Sequence, residues 1–197
     1  MKGIIFTEFF DLVAERFSED VLDEIIDRSE LPHDGAYTAV GNYPFEELAS
    51  LLGSLAGVSG LDAEELVSAF AGHLAKTFAT KFPQFFENKS FIEFLESVDS
   101  HVHVEVRKLY SDANPPEFRT RRLNDSSIEM EYRSHRPLAG LAEGLIRAVA
   151  GAFNQPIELT RDDRKKDAGE YVSVFGINLV TVAKDGPVDC PKPAIVL

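Results

Sequence analysis

Apolar residues recur at helical intervals through the first half of the chain. The spacing predicts a first helix at residues 3–17, and residues 21–26 repeat it and predict a second. The segment LPHDGAYTAVGNYP is rich in turn formers and predicts a loop, after which Pro44 stands where the first residue of a third helix would, ahead of FEELASLLGSLAG. The first predicted helix, residues 3–17, carries five apolar side chains along one face: Ile5, Phe9, Leu12, Val13 and Phe17.

Two capping boxes predict where the next helices begin. In each, a short polar side chain and a glutamate three residues later satisfy one another's backbone N–H groups. The box at Asp62 opens a predicted helix to about Phe82, which the following proline ends. The box at Ser90 opens a helix to about Tyr110.

The spacing of apolar residues changes after the segment Asn-Pro-Pro at 114–116. Residues 118–123 and 128–134 predict two strands joined by a turn, and 157–160 and 171–182 predict two more. Between the pairs, Pro137 precedes the helical segment LAGLAEGLIRAVAGAF. The pattern predicts an α+β fold. A helical lobe at about 1–112 is followed by a lobe at about 113–183, with a four-stranded antiparallel sheet and one inserted helix. A loosely ordered tail at 184–197 completes the chain.

Composition narrows the function classes. The chain has 197 residues, which suits one domain or one domain of two lobes, and its net charge of −13 argues against nucleic acid and anionic membranes as partners. The one cysteine, Cys190, excludes an internal disulfide and a cysteine-rich zinc site and favours a reducing compartment. The first residues do not resemble a signal peptide, and no apolar stretch reaches the length of a membrane span, so we expect a cytoplasmic protein.

Two histidines lie two residues apart on the predicted helix after Ser90. His101 and His103 therefore point to different sides and cannot share one metal ion. Each lies about 100° from the apolar stripe of that helix, on opposite sides, so helical periodicity does not choose between them. Two boundary histidines without a ligand role are the simpler explanation of this segment alone. The stripe itself consists of Leu95, Val98, Val102, Val106 and Leu109.

Three hydrogen-bond donors share one face of the predicted strand 128–134 and its extension. Tyr132, Ser134 and Arg136 alternate with other residues, and a phenol, a hydroxyl and a guanidinium together suit one or two carboxylates. A polar edge strand is the simpler explanation of this pattern alone. However, heme needs an axial imidazole and donors for two propionates, and fifteen phenylalanines could line its pocket as well as fill a core.

At this point the sequence resembles the heme-nitric oxide/oxygen-binding domains, the family of the heme domain of soluble guanylate cyclase. The resemblance covers roughly residues 1–183 and carries the Tyr-x-Ser-x-Arg signature. The matching segments occur in the family's order: MKGIIFTEFF, VGNYP, KTFATKFPQFF, FIEFLESVDSHVHVEVRKLY, NPP, YRSHRP and the helix containing GLI.

The resemblance assigns roles that spacing alone left open. It implies heme b between the two lobes, with iron on His103, seven residues before Tyr110, and with His101 beside the site. It implies that Tyr132, Ser134 and Arg136 clamp the propionates and that Pro115 presses on the heme. Family members that hold oxygen use a distal tyrosine supported by tryptophan and asparagine. The matching positions here are apolar, namely Leu141, Phe9 and Leu74, and Ile5, Phe78 and Leu145 complete the expected pocket wall.

The function that the resemblance implies is a sensor and not an enzyme. An apolar wall favours stable ferrous complexes with nitric oxide and carbon monoxide, and no stable complex with oxygen. Weakening of the bond between iron and His103 would shift its helix, and a separate partner, such as a histidine kinase or a diguanylate cyclase in a bacterium, would detect the shift. Two alternatives remain: an oxygen or redox sensor with the same heme, and a heme-free protein-interaction module.

Overall fold

Four helices build the first lobe of the computed structural model, which describes residues 1–167 and 169–181. Their apolar faces meet in one core around Phe6, Phe9, Leu51 and Leu55, none of which is exposed. We call α1–α4 the helical lobe. The helices are α1 (Gly3–Arg16), α2 (Glu19–Arg28), α3 (Phe45–Ser59) and α4 (Ala63–Lys81).

Both predicted capping boxes are confirmed. The Glu65 N–H donates to Asp62 Oδ1 at 2.9 Å at the start of α4, and Ser90 and Glu93 make the reciprocal pair ahead of the next helix. Pro44 differs slightly from its prediction, since its extended backbone (ψ 142°) makes it the residue before α3 and not the first helical one. The predicted end of α4 is also confirmed, because a short 3-10 turn at Pro83–Phe85 replaces the helix there.

The second lobe consists of a four-stranded antiparallel sheet and the helices beside it. Its strands are β1 (Glu117–Asn124), β2 (Ser127–Ser134), β3 (Ile157–Asp167) and β4 (Glu170–Leu179), in the spatial order β1-β2-β4-β3. Helix α7 (Ala139–Ala152) connects β2 to β3, as the sequence predicts. The predicted α+β arrangement is therefore confirmed. We call this unit, together with α5 (Phe91–Ser97) and α6 (His103–Leu109), the sheet lobe.

Strand β3 is longer than its sequence predicts. The prediction stopped at residue 160 because the charged run RDDRKKD lacks the composition of a strand, yet pairing with β4 continues from Ile157–Leu179 to Asp167–Glu170. As an edge strand, β3 tolerates charge that a central strand would not. Strand β4 ends at Leu179, three residues earlier than predicted.

The predicted helix after Ser90 is divided into three parts. Helix α5 (Phe91–Ser97) leads into a π-helical turn (Val98–Val102), and α6 (His103–Leu109) follows without a break. The apolar residues of α5, including Phe91 and Leu95, pack with the sheet and α7, so α5 belongs by packing to the sheet lobe although the sequence predicted a boundary near residue 112.

Helices α4 and α7 join the two lobes. Gly144 on α7 permits their close approach, since a Cβ atom at this position would lie 2.6 Å from the Cβ of Ala71 on α4. Among the described residues, no helix combines the length and apolar character that crossing a membrane requires. The predicted boundary at 183, the tail and Cys190 lie outside the described residues.

Candidate functional site

An apolar cavity of about 370 Å³ lies between the helical lobe and the sheet lobe. Helices α1, α4 and α7 supply one part of its wall, and α5, the π turn, α6 and the segment up to β2 supply the rest. Phenylalanine is the recurrent residue type, which gives the cavity flat, apolar surfaces. The phenylalanines that line it are Phe78, Phe82, Phe85, Phe86, Phe94 and Phe118.

The π turn decides which histidine faces this cavity. Its backbone bond runs from the N–H of His103 to the carbonyl of Val98, five residues back, so the turn holds one residue more than an α-helical turn. Residues after it are displaced by about 100° relative to a regular helix. His103 thereby takes the direction that a regular helix would give Val102. His101 is exposed, and so is Leu109, which the regular pattern placed on the buried stripe.

His103 is held as a buried imidazole. Its side chain is 14% exposed, and its ring packs against that of Phe118, with centroids 5.7 Å apart. Nδ1 is buried without a hydrogen-bond partner among the described residues, and the Asp99 Oδ1 lies 3.5 Å from it. Burial lowers the pKa of His103 more than the Asp99 carboxylate and the Pro116 carbonyl raise it, so the neutral imidazole dominates near pH 7.

Five of the six predicted pocket residues line the cavity together. Ile5 comes from α1, Leu74 and Phe78 from α4, and Leu141 and Leu145 from α7. The sixth lies elsewhere. Phe9 is one helical turn beyond Ile5 and points into the core of the helical lobe, where its ring meets that of Phe70 edge-on with centroids 5.3 Å apart.

The donor row is split between two environments. Tyr132 and Ser134 are both buried on the inner face of β2, and the Tyr132 hydroxyl donates to the Arg136 carbonyl at 3.1 Å. Ser134 Oγ accepts from the Arg136 N–H at 3.1 Å. Burial raises the pKa of Tyr132, so its hydroxyl keeps its proton and remains a donor. Tyr132 lines the apolar cavity, whereas Ser134 lines a neighbouring polar cleft.

Arg136 and Pro115 line both the cavity and the polar cleft. The Arg136 guanidinium donates to the Asn114 carbonyl at 3.1 Å, which fixes it beside the segment that carries Pro115. A flat ligand with carboxylates at one edge would therefore meet apolar walls and, at the boundary with the cleft, a cation.

The rim of the cavity contains a polar cluster that the sequence did not reveal. Lys2 Nζ donates to the Val40 carbonyl at 2.7 Å and to Asp112 Oδ1 at 3.0 Å, and the Asn42 amide also donates to Asp112. The same ammonium lies 5.0 Å from the ring centre of Tyr110. The cluster connects the segment after α6 to the N-terminal segment. To predict it from the sequence, one would have to know that loop 38–43 pairs with residues 1–4.

These residues fit a heme. An unpartnered, neutral imidazole reaches an apolar cavity, as axial ligation of iron requires, and a guanidinium stands where carboxylates would emerge. Among residues 1–167 and 169–181, no three histidine, cysteine, aspartate or glutamate side chains group to hold a metal ion. At this cavity the described residues thus offer one imidazole, that of His103, and not a protein-only metal centre.

Comparison with known proteins points in the same direction. A sequence model of the family described as "Haem-NO-binding" matches residues 2–161. Soluble guanylate cyclase gcy-35 of Caenorhabditis elegans is 25% identical over 199 residues, which cover 98% of this chain but 29% of that protein. The chain thus spans less than a third of the length of this relative.

Solved structures share the fold. The Fe(II) unliganded H-NOX protein from K. algicida is 36% identical, with a TM-score of 0.83 over 93% of this chain and 98% of that one. A mutant of the T. tengcongensis H-NOX protein is 23% identical, with a TM-score of 0.83 over 93% of this chain and 100% of that one, which shows likeness of fold alone.

Proposed function

We propose that this chain, which belongs to the Haem-NO-binding family of heme-based gas-sensor domains, senses nitric oxide with a heme b that His103 ligates in the cavity between the lobes. The observation that carries this proposal is the buried His103 imidazole, which faces an apolar cavity and lacks a hydrogen-bond partner for Nδ1 among the described residues. Because burial keeps this ring neutral, its second nitrogen has a lone pair to offer to iron.

Three residues would hold the propionates. Arg136 supplies the cation at the boundary between the cavity and the polar cleft, and Tyr132 and Ser134 supply hydroxyl groups beside it. In the structure these two hydroxyls bond to the backbone of Arg136, so they also set the position of the residue that carries the charge. Pro115, which lines both spaces, would press on the heme.

The apolar wall supports selectivity for nitric oxide. When bound, a ferrous heme supplies the iron to which nitric oxide or carbon monoxide coordinates. Leu74, Leu141 and Leu145 present no hydrogen-bond donor to a diatomic ligand, and oxygen depends on such a donor more than nitric oxide does. The polar side chains of the cavity, such as Lys2 and Asn42, lie at its rim and are bonded to Asp112. Phe9, from its place in the helical core, would act only by supporting this wall.

The signal would leave through α6. His103 is the first residue of α6, and the residues after this helix are tied to the N-terminal segment by Lys2 and Asp112. Loss of the ligand bond at His103 would release one end of α6 and alter the surface around it. A separate partner would detect this change, such as a histidine kinase or a diguanylate cyclase in the cytoplasm of a bacterium. We propose no catalytic role for the chain itself.

Absorption spectra of the ferrous protein test this proposal. We expect a five-coordinate spectrum that changes to stable nitrosyl and carbonyl spectra with nitric oxide and carbon monoxide, and no stable oxy spectrum in air. His103→Gly should abolish that spectrum and added imidazole should restore it, whereas the matched control His101→Gly should leave it unchanged, because His101 is exposed. A stable oxy spectrum in air would favour an oxygen sensor, and failure to bind heme at all would favour the interaction module.

A further inference from the structure

The least explained feature of the site is the buried Nδ1 of His103. A ring N–H without a partner in an apolar setting costs about 1–3 kcal/mol, so such an atom calls for an acceptor. The Asp99 carboxylate is the nearest charged candidate, with Oδ1 3.5 Å away and one turn earlier on the same helical segment. At this distance the contact is longer than a normal hydrogen bond, and a small rotation of either side chain would close it.

Asp99 is positioned by more than its own helix. The Phe118 N–H donates to Oδ1 at 3.4 Å, which connects the carboxylate to the first residues of β1. The side chain of Asp99 is 35% exposed and lines the polar cleft together with Arg107, Ser134 and Arg136. The carboxylate therefore lies between the imidazole and the residues that would hold the propionates.

We propose that Asp99 is a positioning residue that accepts a hydrogen bond from Nδ1–H of His103 and thereby sets the strength of the bond from Nε2 to iron. This inference rests on the proposed function. A proton held on Nδ1 selects the tautomer whose free lone pair is on Nε2, and a carboxylate acceptor makes that nitrogen a stronger donor than a carbonyl acceptor does. Asp99 thus resists release of the imidazole when nitric oxide binds.

The competing acceptor is the Pro116 carbonyl, which also acts on the imidazole. The two alternatives differ in what a substitution does. Asp99→Ala and Asp99→Asn change the carboxylate and leave the Pro116 backbone in place. Asp125→Asn is the matched control, because it removes the same charge from the turn between β1 and β2, at the far end of β1 from Phe118.

Nitrogen-15 spectra of the His103 ring in the heme-free protein test the tautomer without any heme. We expect the wild type and Asp125→Asn to hold the proton on Nδ1, and Asp99→Ala to lose this preference. Resonance Raman spectra of the ferrous heme protein should show a lower iron–histidine stretching frequency in both Asp99 variants. Stopped-flow measurements should show imidazole release by nitric oxide about tenfold faster.

Each possible result either supports or contradicts the role of Asp99 as the acceptor for Nδ1–H of His103. If the tautomer and the stretching frequency in both Asp99 variants equal those of Asp125→Asn, Pro116 is the acceptor and the inference is wrong. If Asp99→Ala unfolds, the conservative Asp99→Asn gives the answer. If the wild type binds no heme, the proposed function fails, and the nitrogen-15 spectra still show whether Asp99 holds the Nδ1 proton.

Discussion

At the scale of single residues, burial and hydrogen bonding compete to set the pKa of His103 and of Glu8. Burial outweighs the hydrogen bonds at His103, whereas the hydrogen bonds and the charge of Lys81 outweigh burial at Glu8. His103 loses affinity for its proton because water is removed and its partners are weak. The side chain of Glu8 is 4% exposed, against 14% for His103, and Lys81 Nζ at 2.6 Å and His73 Nε2 at 3.1 Å hold it. Burial raises the pKa of Glu8, but hydrogen bonds from Lys81, Thr77 and His73 and the charge of Lys81 together lower it by more, so the net pKa lies below the usual 4.5.

Glu8→Gln tests this balance. A carboxyl group with a depressed pKa in the folded state contributes stability above its unfolded pKa, and loses it as pH falls through the folded value. We expect Glu8→Gln to lower the free energy of unfolding by about 1–3 kcal/mol at pH 7. The difference from wild type should begin to decrease near pH 4.5 and disappear only below the folded pKa. Urea unfolding at several pH values measures it. As a control, Glu15→Gln changes an exposed carboxylate near His73 and should have little effect on the free energy of unfolding. A loss of stability in Glu8→Gln that does not depend on pH would contradict the argument.

Leu141→Tyr tests the apolar wall. A phenol at this position would add a hydrogen-bond donor inside the cavity, and a hydrogen bond of about 1 kcal/mol raises oxygen affinity about five- to tenfold. Oxygen titration of the ferrous protein measures the change. Leu141→Phe has similar size without the hydroxyl and should not bind oxygen more tightly. Equal behaviour of the two variants would show that cavity shape, not the donor, controls oxygen affinity.

At the scale of elements, the π turn shows what sequence periodicity can and cannot predict. The capping boxes, the hairpin β1–β2 and the helix α7 follow from local residue patterns, because caps and turns act over three or four residues. The direction of the His103 side chain does not follow from such a pattern. One additional residue in the turn Val98–Val102 rotates all later side chains of the helix about its axis. Similarly, the length of β3 depends on its pairing with β4, which the composition of the charged run 161–167 does not indicate. Ser134 faces a cleft that no alternation pattern distinguishes from the cavity.

Deletion of Ser100 tests the role of the π turn. Removing one residue should convert the turn to a regular α-helical one and leave His103 in its present direction, because the turn now absorbs that residue. We therefore expect heme binding through His103 to persist in the deletion variant. Loss of the five-coordinate spectrum, with recovery on added imidazole, would mean that the deletion turned His103 away from the cavity.

Gly144→Ala tests the contact between α4 and α7. The added Cβ would lie 2.6 Å from the Cβ of Ala71, and relief requires the helices to separate, at a cost of about 1–3 kcal/mol. Thermal unfolding measures the loss. Gly140→Ala on the same helix is the matched control, since its Cβ would meet nothing closer than 3.8 Å. An equal effect of the two substitutions would rule out crowding as the cause.

At the scale of the whole molecule, the cavity between the lobes makes the cofactor part of the structure. Each lobe has its own core, and α4 and α7 are their main direct contact. A heme in the cavity would add contacts to both lobes at once, through Leu74 and Phe78 on one side and His103 and Tyr132 on the other.

Heme binding should therefore raise the unfolding temperature of both lobes together. A ligand that binds only the folded state stabilises it by RT ln(1 + [L]/Kd), about 4 kcal/mol at a thousandfold excess over Kd. We expect one calorimetric transition with heme at a higher temperature than without it, and a smaller increase in His103→Gly. An increase confined to a separate, second transition would contradict a site between the lobes.

The charge on the two edge strands of the sheet, β1 and β3, bears on the solubility of the chain before heme is bound. Among residues 1–167 and 169–181, β1 and β3 each have a neighbouring strand on one side only, and unpaired backbone at such positions is where other copies of a protein attach and aggregate. Here those strands bear charged side chains, Arg119, Arg121 and Arg122 in β1 and the run of mixed charge at 161–164 in β3, so an approaching strand would have to remove water from charged groups. Charge at both edges thereby opposes self-association of the chain while the apolar cavity between the lobes is still without heme.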